Sequence, residues 1–227
     1  MKKLTQISLT IISLILLTGC NPSAMISNEQ LDPKLPKLTT VQAVPNHTSV
    51  AFEWKSMVKE GITSLNVYRT DSNNYVNSST KQLKKIGTVA DRFATHYVDT
   101  GLKQNSNYTY TFTTVKNGFE SPHGKIINVK TLPPFDAVSF FQGFQKTMTT
   151  VKLIWRPHAN VKVSWYKVER SINAGQWEWV GTIKERMMSE YIDHRVSPGN
   201  TYSYRVIAMG FDNSFSKPSP TVSILAR

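Results

Sequence analysis

The chain has 227 residues, with 27 Lys and Arg against 15 Asp and Glu, one cysteine and a formal net charge of +12. A single cysteine excludes an internal disulfide and a thiolate metal cage. The positive excess is even, 12 basic and 6 acidic residues over 37–132 and 12 and 7 over 133–227, so no charge block marks a nucleic-acid-binding tail, and only weak, long-range attraction to lipopolysaccharide, lipid head groups or acidic glycans is expected.

The first element is a leader. Lys2 and Lys3 give a basic start, Ile7 to Leu17 form an apolar run, and Gly19 is small. This is the pattern of a secretory signal peptide over residues 1–19, and the run falls short of the roughly 20 apolar residues that span a bilayer. Leu17-Thr18-Gly19-Cys20 resembles the lipobox of bacterial lipoproteins. The resemblance implies cleavage before Cys20, acylation of its thiol and attachment to a membrane through the N-terminal lipid. It also accounts for the lone cysteine. Asn21 stands where an aspartate would resemble an inner-membrane retention signal, which points to the outer membrane. Export removes the chain from nucleic acid.

Residues 20–36 are polar, contain three prolines and show no periodicity, so they read as a tether beyond the lipidated cysteine. From residue 37 onward the chain is an internal repeat. Val50–Trp54 matches Val151–Trp155, and Val67-Tyr68-Arg69 matches Val168-Glu169-Arg170, both at an offset of 101. The offset then falls to 94 for Ile86-Gly87-Thr88 with Val180-Gly181-Thr182, Tyr97-Val98-Asp99 with Tyr191-Ile192-Asp193, and Tyr108 with Tyr202. Both halves are short alternating runs rich in Val, Ile, Thr, Tyr and Phe, parted by turn residues such as Asn117-Gly118 and Pro198-Gly199. That predicts an all-β chain with about seven strands per half.

The halves, 37–132 and 133–227, resemble fibronectin type III domains. Trp54 and Trp155 stand at that family's core tryptophan. Leu102 to Tyr108 and Val196 to Tyr202 resemble its tyrosine corner, with Gln104 in place of the proline that the second copy keeps. The resemblance implies two tandem immunoglobulin-like sandwiches in which Tyr108 and Tyr202 are buried and their hydroxyls bond to upstream backbone. The junction Thr131-Leu132-Pro133-Pro134 is short and stiffened by proline, which predicts a fairly rigid rod.

Catalytic and metal patterns are sparse. His47, His96, His123, His158 and His194 are scattered, and no nucleophile elbow or phosphate-loop motif occurs. His96 near Asp99 and His194 beside Asp193 read as turn-end residues. No enzyme, cofactor or metal is expected.

Differences between the copies mark candidate binding positions. Seven extra residues lie between Arg69 and Ile86, in an Asn/Ser-rich stretch with one aromatic, Tyr75. In the second copy, strand alternation turns Trp165, Trp179, Arg205 and Ile207 outward. Family topology brings them onto one sheet, and Trp and Arg are enriched at binding hot spots. The expected function is protein interaction or adhesion by a lipid-anchored protein of the outer membrane. Similar bacterial lipoproteins include adhesins for host matrix protein. A periplasm-facing subunit of an envelope machine and a glycan-binding module stay open as alternatives, as does the side of the membrane that the chain faces.

Overall fold

The computed structural model describes residues 30–70 and 83–227, so the leader, Cys20 and the stretch containing Tyr75 lie outside the described residues. Alternation makes two sandwiches. In the first module, β2 (Val41–Pro45), β3 (Ser49–Trp54) and β6 (His96–Thr100) form one sheet. It packs on β5 (Lys84–Val89), β4 (Ser64–Arg69), β7 (Asn107–Lys116) and β9 (Ile127–Lys130), hydrogen-bonded in that order. The second module repeats the plan. Strands β10 (Gln142–Thr147), β11 (Thr150–Ile154) and β14 (Glu190–Asp193) face β13 (Glu178–Lys184), β12 (Val163–Ile172), β15 (Thr201–Gly210) and β16 (Val222–Leu225). This is the seven-stranded, three-on-four arrangement that the resemblance implies for each half.

The inward positions of each strand build the cores. On β15, Tyr202, Tyr204, Val206 and Ala208 are buried and alternate with partly exposed neighbours. Trp54 packs 5.5 Å from Phe112, and Trp155 lies edge-on to Tyr166 at 5.3 Å. Burying each large apolar side chain contributes roughly 1.5–3 kcal/mol. Both tyrosine corners form: the Lys103 N–H donates to the Tyr108 hydroxyl at 2.8 Å, and the Ser197 N–H to that of Tyr202 at 2.9 Å.

A buried ion pair joins the two sheets at the same place in each copy. In the second module Arg170 of β12 donates to Oδ2 of Asp193 on β14 at 2.8 Å, and Tyr204 of β15 donates to the same oxygen at 3.0 Å. In the first, Arg69 and Tyr110 donate to Oδ2 of Asp99 at 2.7 and 2.8 Å. Burial, reinforced by the aspartate, pushes both phenols far above their ordinary range, so they remain donors at any physiological pH. The repeated Gly–Tyr pairs have a steric cause. A Cβ on Gly181 would collide with the Tyr191 ring, whose hydroxyl reaches the carbonyl of Val180 at 2.8 Å. At Gly87 the approach is looser, a Cβ there lying 3.0 Å from the Tyr97 hydroxyl and 3.6 Å from its ring.

Two features add to the sequence reading. The stretch assigned to the tether meets the first module at Gln30, ahead of residue 37. There β1 (Gln30–Leu31) pairs in parallel with β8 (Phe119–Glu120), the Asp32 N–H donates to the Glu120 carbonyl at 2.8 Å, and Leu38 is buried. The reason is backbone pairing: the short β8 hairpin presents a strand edge whose N–H and C=O groups take up the incoming chain. The junction is also held by more than proline. Gln104, in the proline position of the first corner, exchanges two 3.1 Å bonds with the backbone of Phe215. Thr48 donates to the Asp212 carbonyl at 2.8 Å, Lys162 to the Asn46 side chain at 3.0 Å, and His47 lies 2.7 Å from the Pro133 carbonyl.

Asp193→Ala would leave Arg170 buried without its carboxylate and is expected to cost about 3–5 kcal/mol in urea unfolding, whereas Arg170→Met with Asp193→Leu costs less. Gln104→Ala is expected to preserve the far-ultraviolet spectrum while letting the two modules tumble more independently, read by ¹⁵N relaxation.

Candidate interaction face on the second module

The four-stranded sheet of the second module presents its outer side to solvent. Because Tyr166 and Val168 are fully buried, Trp165, Lys167 and Glu169 of β12 point the other way. The register of β15 sets Ile207 opposite Lys167, and Arg205 opposite Glu169. On β13 a bulge shifts the pairing between Val168 and Glu169, so Trp179 sits across from Glu169 while Val180, the extra residue, packs against the core. The four residues singled out in the sequence therefore share one face. Tyr75 lies outside the described residues.

These side chains are locked together. The Trp165 and Trp179 rings stack at 6.0 Å with an interplanar angle of 20°. Glu169 accepts from Lys167 and from Nε of Arg205, each at 2.6 Å. Both cations also cover indole rings, Lys167 at 5.3 Å from the centre of Trp179 and Arg205 at 4.2 Å from that of Trp177. The result is a continuous run of aromatic, cationic and acidic groups across three strands. Trp179 remains 58% exposed, and its indole N–H donates to the Gly181 carbonyl at 2.9 Å. Trp177 was not singled out from the sequence. Its signal is the spacing in Trp177-Glu178-Trp179, which gives two tryptophans the same parity beside an outward arginine.

Burial alone would raise the Glu169 pKa. The bonds from Lys167 and Arg205 overcome that and hold it below the usual carboxylate range. A carboxylate depressed in the folded state stabilises the fold above its ordinary pKa, and the contribution disappears as pH falls through the lowered value.

The equivalent face of the first module is chemically different. Ser64, Asn66, Tyr68, Thr111 and Thr113 replace the tryptophans and cations. Glu120 closes this face, accepting from Asn66 at 2.9 Å, from Tyr68 at 2.7 Å and from Thr113. Asn66, Thr111 and Thr113 are buried. The histidines paired with acids in the sequence do not form a site. His96 contacts Thr95 and an exposed Glu53, and His194 contacts Thr150, while Asp99 and Asp193 turn inward to the arginines. Among the described residues no group of three or more His, Cys, Asp or Glu comes together as a metal site.

Many solved structures resemble the chain, two of them tandem fibronectin type III arrays. The FN1–FN3 domains of chicken CNTN1 align with a TM-score of 0.43 and 12% identity over 87% of this chain and 69% of that one. A two fibronectin type III domain segment from chicken tenascin aligns with a TM-score of 0.38 and 16% identity over 84% and 99%. No protein-family model and no curated protein matches the chain.

Acidification from pH 7 to 3 is expected to change tryptophan fluorescence in step with loss of the Glu169 carboxylate, with a midpoint below the ordinary glutamate value. Glu169→Gln should remove that step, and an unchanged titration in the variant would dissociate the acid from the aromatic run.

Proposed function

We propose that this chain is a non-catalytic envelope lipoprotein, anchored to the outer membrane through an acylated Cys20, whose second module docks a protein partner on the Trp165, Trp179, Arg205 and Ile207 face. The observation that carries the docking reading is the asymmetry between the copies. A polar network closes the sheet in one, while in the other the same face carries stacked tryptophans, one of them exposed. Pre-ordered aromatic and arginine anchors lose little entropy on association, which suits a binding hot spot.

Protein is favoured over glycan by the state of the rings. A sugar stacks on an open ring face and takes hydrogen bonds around it. Here Trp179 has Trp165 and Lys167 over its ring, and its N–H is engaged within the chain. What remains is the exposed part of Trp179, on the same face as Ile207 across β12, suited to side-chain packing. Lipopolysaccharide or acidic glycans contribute at most weak attraction to the basic surface.

Adhesion and service within an envelope machine would use the same face, and accessibility separates them. Antibody to the sandwiches labelling intact cells supports adhesion to a host matrix protein; labelling only after permeabilisation rules adhesion out and selects a periplasmic partner. A photo-crosslinking residue at position 179 should capture one discrete protein, and the same residue at the exposed position 85, the counterpart of Trp179 in the first module, should not. Trp165→Ala with Trp179→Ala is expected to weaken that partner by about 2 kcal/mol or more, roughly 30-fold. An unchanged affinity would remove the face from the reading.

A further inference from the structure

The end of the first module remote from the junction carries features that neither the repeat nor the docking face uses. Strand registers define this end. Val41 pairs with Trp54, the Trp54 N–H donates to the Thr95 carbonyl, and the Thr63 N–H to that of Val115. The β3–β4, β5–β6 and β7–β8 connections therefore cluster there, while Asn46, Thr48 and Gln104 meet the second module at the opposite end. The chain also enters at this pole, because Gln30 is held at the level of Phe119 beside the β7–β8 turn.

Three large apolar side chains stand out at or beside the pole: Leu31 is 67% exposed, Phe93 65% and Phe119 42%. The exposure of Phe93 is built in. The Phe93 N–H donates to the Asp91 carboxylate at 2.8 Å and the Ala94 N–H to the Asp91 carbonyl at 3.0 Å, fixing the turn that holds the ring outward. Cations accompany these rings. The Arg92 guanidinium lies 4.7 Å from the centre of Phe93, Lys55 and Lys59 are exposed, and Lys116 reaches the Glu60 carbonyl at 3.1 Å. Glu60 and Asp91 lie in these same loops and an exposed Glu53 precedes Trp54, so the four cations Lys55, Lys59, Arg92 and Lys116 stand against three acids and the pole is slightly net positive.

From this arrangement we infer that the pole is a membrane-contact surface, which seats the first module on the anionic head groups of a phospholipid bilayer. Bulky apolar tips mixed with Lys and Arg are the composition that enters an interface, where head groups take the charges and the acyl boundary takes the rings. Three side chains give weak binding alone. The inference rests on the acylated Cys20 for its strength, since one membrane signal is reversible and a second makes the attachment stable. Reach permits it: the ten residues from Cys20 to Gln30 span at most about 35 Å when fully extended, so the bilayer is within range of this pole. The docking face of the second module then stands a whole module away from the lipid.

The chain's lone cysteine makes a clean test. Once Cys20 is acylated, a cysteine introduced at Phe93, Phe119 or Phe211 is the only free thiol. Each purified lipidated variant would carry an environment-sensitive fluorophore in vesicles of phosphatidylethanolamine and phosphatidylglycerol with a lipid-borne quencher. Strong quenching at 93 and 119 with little at 211, on the junction side, is expected. Equal quenching at all three, or none, overturns the inference and leaves the pole to another occupant. Intact mass reports acylation independently, so loss of the anchor reading is seen separately. A second arm uses the unacylated chain from residue 21 onward, which contains both sandwiches whole. It should sediment with phosphatidylglycerol vesicles more than with phosphatidylcholine vesicles and lose this preference in high salt. Phe93→Ser with Phe119→Ser should lower the bound fraction about tenfold; binding equal to that of the parent would sink the proposal whatever the state of Cys20.

Discussion

The constraint on which the architecture rests is the buried carboxylate between the two sheets. Asp99 and Asp193 each sit on the three-stranded sheet and accept from an arginine and a tyrosine of the four-stranded one. Apolar packing is non-directional and would tolerate sliding of one sheet over the other. A charge removed from water tolerates none, because a small displacement leaves it unpaired in a low dielectric. The ion pair therefore fixes how the sheets register, while alternation along β12, β13 and β15 decides which residues face outward. The tryptophan run is a downstream consequence of where Arg170 must point: Glu169 precedes it and is forced to the other side.

The second control point is the β13 bulge. One extra residue lets Val180 fill the core while Trp179 stays outside, opposite Glu169. The first module has the same bulge at Ile86, with Lys85 as the outward residue. The three-on-four scaffold and the bulge are thus shared, while the outward side chains of this sheet differ between copies. This division separates the residues that make the fold from those free to take on a binding role.

Much of this was legible from the amino acids. Two sandwiches, the tyrosine corners and the outward parity of Trp165, Trp179, Arg205 and Ile207 come from a period of two read across an internal repeat. The Arg–Asp–Tyr pairs were present as repeated letters, but their meaning was not, because the partners come from three strands and alternation gives the side of a sheet rather than the neighbour across the core. Trp177 escaped because it lies just before β13, although it shares the parity of Trp179. The docking of Gln30 and Leu31 on β8 escaped for a related reason: two exposed residues carry no hydrophobic pattern, and only backbone bonds hold them. Gln104 looked like the loss of a proline, and its use became visible once Phe215 was seen beside it.

The pairing of β1 with β8 has a mechanical side. A protein held at its N-terminal end and loaded through its second module carries tension along its backbone, and that tension meets the β1–β8 contact before any strand of the sandwiches. Two register pairs give way at far lower force than the ten-residue strand β7 behind them. The contact can therefore peel and re-form like a clasp. Its release lengthens the attachment under a pull too weak to open the sandwiches.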